Sequence, residues 1–121
     1  MALTEKAPRG GLVEAVAGKP RPLILTNAEI ERFEDAHRGI FEVWDGFMGR
    51  GKKPGLREVR DLVALGLVGG GLADKVADHL MRDEGPDRAQ DLYQIAQALV
   101  GVAFTPDLML GDDEPRADGG Q

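Results

Sequence analysis

The stretch from Leu12 to Phe33 constrains the fold of this chain more than any other. Two short apolar runs, Leu12 to Ala17 and Leu23 to Leu25, flank Gly18-Lys19-Pro20. Glycine supplies a positive φ and proline a preset one, so the chain turns back on itself there. Directly afterwards, Thr26-Asn27-Ala28-Glu29 has the spacing of a capping box. Thr26 can accept from the backbone N–H three residues on, and Glu29 can reach back to the N–H of Thr26. The expectation is strand, tight turn, strand, then a helix launched without a linker. Pro20 and Pro22 cannot donate to a central ladder, so the second strand belongs at a sheet edge or is only partly paired. A two-stranded ribbon is marginal alone. Its apolar face, read as Val13, Ala15, Leu23 and Leu25, must therefore rest on helices.

The helices follow from apolar spacing. The first spans Asn27 to about His37 with Ile30 and Phe33 inward. The second carries Ile40, Trp44 and Phe47 at i, i+4, i+7, with Phe41 and Met48 alongside. Gly49-Arg50-Gly51-Lys52-Lys53-Pro54-Gly55 is a basic loop. The third helix, Leu56 to Val68, has a stripe of Leu56, Val59, Leu62 and Val63, and Gly69-Gly70-Gly71 ends it with a tight corner. The fourth, Leu72 to about Asp83, places Leu72, Val76 and Leu80 inward. Pro86 opens the fifth, about Asp87 to Phe104, with Leu92, Ile95, Leu99 and Val102 on one face beside Ala96 and Val100. Pro106 stops it. The predicted class is α+β and mostly helical: an N-terminal two-stranded antiparallel hairpin packed on a bundle of four to five short helices. Residues 1–11 read as a flexible lead-in, 12–105 as a single domain, and 106–121 as a disordered acidic tail.

Composition excludes several kinds of chemistry. Cysteine is absent, and so is serine; the only hydroxyl residues are Thr4, Thr26, Thr105 and Tyr93. A serine or cysteine nucleophile is therefore ruled out, as is a thiolate metal site. Two histidines, His37 and His79, are too few for a histidine metal cluster. A formal charge of −6 opposes binding to a phosphate backbone. No apolar leader and no run long enough to span a bilayer is visible, so no membrane partner and a cytoplasmic location are expected.

The local motifs have ordinary explanations. The basic loop follows an aromatic helix and puts Pro54 after its lysines, where a phosphate-binding loop needs Gly-Lys-Ser/Thr opening a helix. The third and fourth helices resemble a helix-turn-helix only superficially, because Asp74, Asp78 and Asp83 would face DNA phosphates. His37 beside Glu34 or Asp35, and His79 beside Asp78 or Asp83, make conceivable acid–base pairs. A helix C-terminus already accounts for His37. Asp112-Asp113-Glu114 lacks the ligand alternation of a calcium loop. No catalytic, metal or cofactor site is assigned, and no enzyme activity is expected.

Two features point to protein partners. Leu108-Met109-Leu110 sits in the acidic tail and can either dock in a partner's groove or fold back over its own bundle. Phe41 and Met48 either complete a small core or present an apolar contact surface.

The order Val13-Glu14-Ala15, Gly18-Lys19-Pro20-Arg21, Leu23 and Leu25-Thr26, leading into a capped helix, resembles a known small family. Its second element is Leu56-Arg57-Glu58-Val59-Arg60-Asp61-Leu62-Val63-Ala64-Leu65-Gly66-Leu67-Val68-Gly69-Gly70-Gly71. The family is that of the tail assembly chaperones encoded in bacterial gene transfer agents and siphophage-like tail clusters, and the resemblance covers about Leu12 to Phe104. It implies a non-enzymatic factor without cofactors that binds the tape measure protein and is displaced as tail tube protein polymerises around it. The aromatic second helix and the extended acidic tail depart from the family pattern. A structural tail tube component is the nearer alternative. A small adaptor binding helical peptides, unrelated to phage tails, is the alternative from another class.

Overall fold

Ala17 and Gly18 take φ values of 53° and 87°, the pair of positive values that a two-residue type I′ hairpin turn requires. The turn thus sits one residue earlier than Gly18-Lys19-Pro20. It joins β1 (Gly11–Val16) to β2 (Lys19–Ile24) in an antiparallel ribbon. The computed structural model describes residues 6–107. After the ribbon come α1 (Asn27–Ala36), α2 (Ile40–Phe47), α3 (Leu56–Gly69), α4 (Asp74–Asp83), a 3-10 turn at Pro86–Arg88, and α5 (Ala89–Phe104). The class is α+β and mostly helical, a hairpin on a helix bundle.

The register decides which side of the ribbon is buried. Leu12 faces Leu23, Glu14 faces Arg21, and Val16 faces Lys19, while Val13 faces Pro22 and Ala15 faces Pro20. Opposed side chains share a face. Val16 and Leu23 are buried, with Leu25 just beyond the strand. Leu23 and Leu25 therefore point inward as expected, but Val13 and Ala15 do not: Ala15 is exposed and Val13 half-buried. Two polar residues, Glu14 and Arg21, share the inner face and obscured the alternation. Arg21 is satisfied there, its Nε donating to the Val16 carbonyl at 2.8 Å.

The same register explains the prolines. In this hairpin Val16 and Lys19 exchange the first pair of hydrogen bonds, so Pro20 and Pro22 fall at the alternate positions, whose backbone groups point away from β1. The missing N–H groups cost the ladder nothing. The outward carbonyls of β2 instead meet the end of α3. A Cβ on Gly69 would collide with the Ile24 carbonyl oxygen, and one on Gly70 with that of Pro22. The glycine corner thus covers the outer edge of β2 as well as ending a helix.

Helix α3 lies at the centre, against β2, α1, α4 and α5. Every residue from Leu62 to Leu67 is buried, so this helix is enclosed nearly all round rather than along one stripe. Leu56 departs from its expected inward stripe and is 43% exposed, because it opens the helix outside the packed segment. At Gly66 a Cβ would stand 2.5 Å from Leu99 Cδ2 and 3.3 Å from Leu23, so β2, α3 and α5 cross there.

The other helices mostly follow their patterns. Phe33 of α1 is fully buried, and α5 buries Leu92, Ile95, Ala96, Leu99, Val100 and Val102. On α4 the buried residues are Ala77 and Met81. Val76, expected inward, is 46% exposed, while Leu72 and Leu80 are half-buried. The small Ala77 lets α4 approach α3 closely, and the Arg60 guanidinium donates to the Met81 carbonyl. Together these turn the helix away from the Val76 side. Among the described residues no helix is long and apolar enough to cross a membrane.

Candidate partner-binding surface

Helix α2 is held in place by one arginine and two carboxylates. Glu34 Oε2 accepts from the Ile40 backbone N–H at 2.8 Å, capping the start of α2 from the preceding helix. Arg38, between α1 and α2, donates through Nε to Glu58 Oε2 at 2.7 Å and through Nη2 to Oε1 at 3.2 Å. Its Nη2 also donates to the Lys52 carbonyl at 2.9 Å. Glu58 Oε1 in turn accepts from the Gly55 N–H at 3.0 Å, the carboxylate half of a capping box whose other half glycine cannot supply. The pair is largely withdrawn from water, with side chains 18% and 15% exposed.

These contacts move both titrations. Burial pushes the Glu58 carboxyl up, but the hydrogen bonds from Arg38 and Gly55 and the charges of Arg38 and His37 together bring it below its ordinary value. The Arg38 guanidinium is raised, chiefly by its hydrogen bond to Glu58.

So positioned, α2 lies antiparallel along α5. The Phe41 ring stands 5.6 Å from Phe104, and Trp44 meets Phe104 edge-on at 5.8 Å. Phe47 meets Tyr93 edge-on at 5.0 Å, and Gln97 Nε2 approaches Met48 Sδ at 3.8 Å. Trp44 lies across Gly101, where a Cβ would be 3.3 Å from its ring. Ile40, Val43, Gly46 and Phe47 are turned to the core, and Trp44 is only half-buried. The outer side carries Phe41, 73% exposed, and Met48, 45% exposed. Seven residues apart, Phe41 in the first turn of α2 and Met48 capping its C-terminus, they share a face about 10 Å long.

The apolar surface continues past Tyr93. The Lys53 ammonium sits 5.4 Å from the centre of the Tyr93 ring, a cation–π contact. Lys53, Pro54, Leu56, Val59, Ala89, Gln90 and Tyr93 line a hollow of about 180 Å³. Phe41, Trp44, Phe104, Met48, Tyr93 and Leu56 thus form one strip along α2, α5 and the start of α3. It contains three of the four exposed large hydrophobic residues found among the described ones, Val76 being the fourth.

Of the residues singled out in the sequence, Phe41 and Met48 come together on this outer face instead of completing the core. Leu108, Met109 and Leu110 lie outside the described residues. Sequence reasoning missed Leu56, Tyr93 and Phe104 as members of the surface. Pro54-Gly55 ahead of Leu56 was the available signal, since a residue in the first turn of a helix has no preceding turn to shelter it.

The conceivable acid–base pairs resolve differently. His37 Nε2 lies 2.6 Å from Asp61 Oδ2 across to α3, not beside Glu34 or Asp35. His79 is 3.4 Å from Asp83 on the open side of α4, both largely exposed. Arg57, Arg60, Asp61, Asp78 and Arg82 line a depression of about 430 Å³ between α3 and α4, with opposite charges intermixed. No group of three or more potential metal-ligating side chains converges among the described residues. No family model, no curated protein and no solved structure matches the chain.

Proposed function

We propose that this protein is a non-enzymatic tail assembly chaperone of the gene transfer agent and siphophage type. It holds apolar helical segments of the tape measure protein until tail tube protein takes them over. The observation that carries the reading is the Phe41–Met48 strip, an apolar face left open on a small domain of net charge −6. An exposed helix face of this kind fits the helix-in-groove mode of recognition, and net negative charge keeps a loaded complex soluble. The sequence resemblance supplies the identity of the client.

A tail tube role receives less support. Tube rings need long strand edges, whereas these strands are six residues each and the outer edge of β2 is covered by Gly69 and Gly70. Co-expression is the direct test. A tape measure fragment that aggregates alone is expected to remain soluble with the wild-type chain and to aggregate again with Phe41→Asp. A fragment equally insoluble with and without the protein would remove the chaperone reading.

A further inference from the structure

We infer that the strip accepts a single amphipathic helix of about 11 to 14 residues whose carboxylates gather at the end beside Lys53. This rests on the chaperone reading and specifies the chemistry of the client segment.

The occupant is helical because the strip offers side chains only. Its walls are α2, α5 and the first turn of α3. An extended peptide would find no strand edge to pair its backbone, while a helix satisfies its own. The length follows from the rise per residue. Tyr93 and Phe104 stand eleven residues apart on α5, or about 16 Å, which a helix of similar length matches. The polarity follows from charge. Arg50 is taken up by Asp45 at 2.9 Å and Arg38 by Glu58. Lys53 makes no ion pair among the described residues and holds its ammonium over Tyr93 at one end of the strip. A carboxylate arriving there gains a partner already drawn toward the apolar surface. A second copy of the chain is the other occupant to test. Two strips packed about a two-fold axis would bury the strip against itself, the outcome that sedimentation distinguishes.

Fluorescence anisotropy with labelled amphipathic peptides of about 14 residues tests this. One peptide carries a cluster of glutamates at one end, a second carries lysines there, and a third has its apolar positions scrambled. The glutamate peptide is expected to bind about tenfold more tightly than the lysine peptide at low salt, the gap closing at roughly 0.5 M salt. The scrambled peptide should not bind. Phe41→Ala should weaken the glutamate peptide about tenfold, and Lys53→Glu should reverse the preference between the first two. Equal affinity for both charge versions, indifference to Phe41→Ala, or a dimer in sedimentation that Phe41→Ala dissolves would each overturn the inference.

Overlapping tape measure peptides in the same assay separate the two readings. If the designed peptides behave as stated and no tape measure peptide binds, the strip's specificity stands and the chaperone assignment falls. If tape measure peptides bind regardless of Phe41→Ala and Lys53→Glu, the assignment stands and the inference falls.

Discussion

Glu58 joins three parts of the chain through one carboxylate: the first turn of α3, the junction between α1 and α2, and the basic loop by way of Arg38. Its titration makes that role measurable. Because the folded carboxyl ionises more readily than the unfolded one, its stabilisation is fully present above the ordinary value of about 4.5 and fades as pH falls through the lower folded value. Glu58→Gln should therefore cost about 1–3 kcal/mol at pH 7, where a charged hydrogen-bond partner is lost. The gap to wild type should narrow in urea titrations carried below pH 4. A deficit as large at pH 3 as at pH 7 would show that the carboxylate's charge is not what Arg38 requires.

At the scale of elements, packing between the ribbon and α3 depends on the absence of side chains at two positions. Gly69→Ala improves intrinsic helix propensity by about 1 kcal/mol, yet its Cβ would meet the Ile24 carbonyl. The expected net result is a loss of about 1–3 kcal/mol, against less than about 0.5 kcal/mol for Val76→Ala on the open side of α4. Thermal melts of the two variants distinguish them, and a neutral Gly69→Ala would mean that the ribbon does not bear on α3 there. Elements whose facing depends on local chemistry were legible in the sequence. The α5 stripe was read correctly, and the Glu29 half of the capping box forms, its Oε1 accepting from the Thr26 N–H at 2.8 Å and from the Thr26 hydroxyl. Facing set by distant contacts was not legible. Val13 and Ala15 were read inward because a turn one residue off inverts a strand. Val76 was read inward because nothing in α4 alone reveals Arg60 reaching the Met81 carbonyl. The candidate surface was legible only in part: Phe41 and Met48 recur at a helical spacing along α2 and its C-cap, whereas Leu56, Tyr93 and Phe104 join them only through tertiary packing.

For the whole molecule, α3 leaves little room for independent parts, since the ribbon and three helices pack against it. Unfolding should be cooperative. Trp44, the single tryptophan, reports on the α2–α5 contact, while far-UV circular dichroism reports on all helices. Their urea transitions should coincide, and an earlier tryptophan transition would mark α2 as a separately melting unit. The crossing of β2, α3 and α5 at Gly66 also sets an order of events during synthesis. Leu23 leaves the ribosome 76 residues ahead of Leu99, which at about 5–20 residues per second is a delay of roughly 4–15 s. Until α3 follows, the ribbon is too small to hold by itself, and its contacts with α5 wait for the whole interval. The ribbon is thus made ahead of every described helix it packs on, and its packing is completed only once α5 has followed.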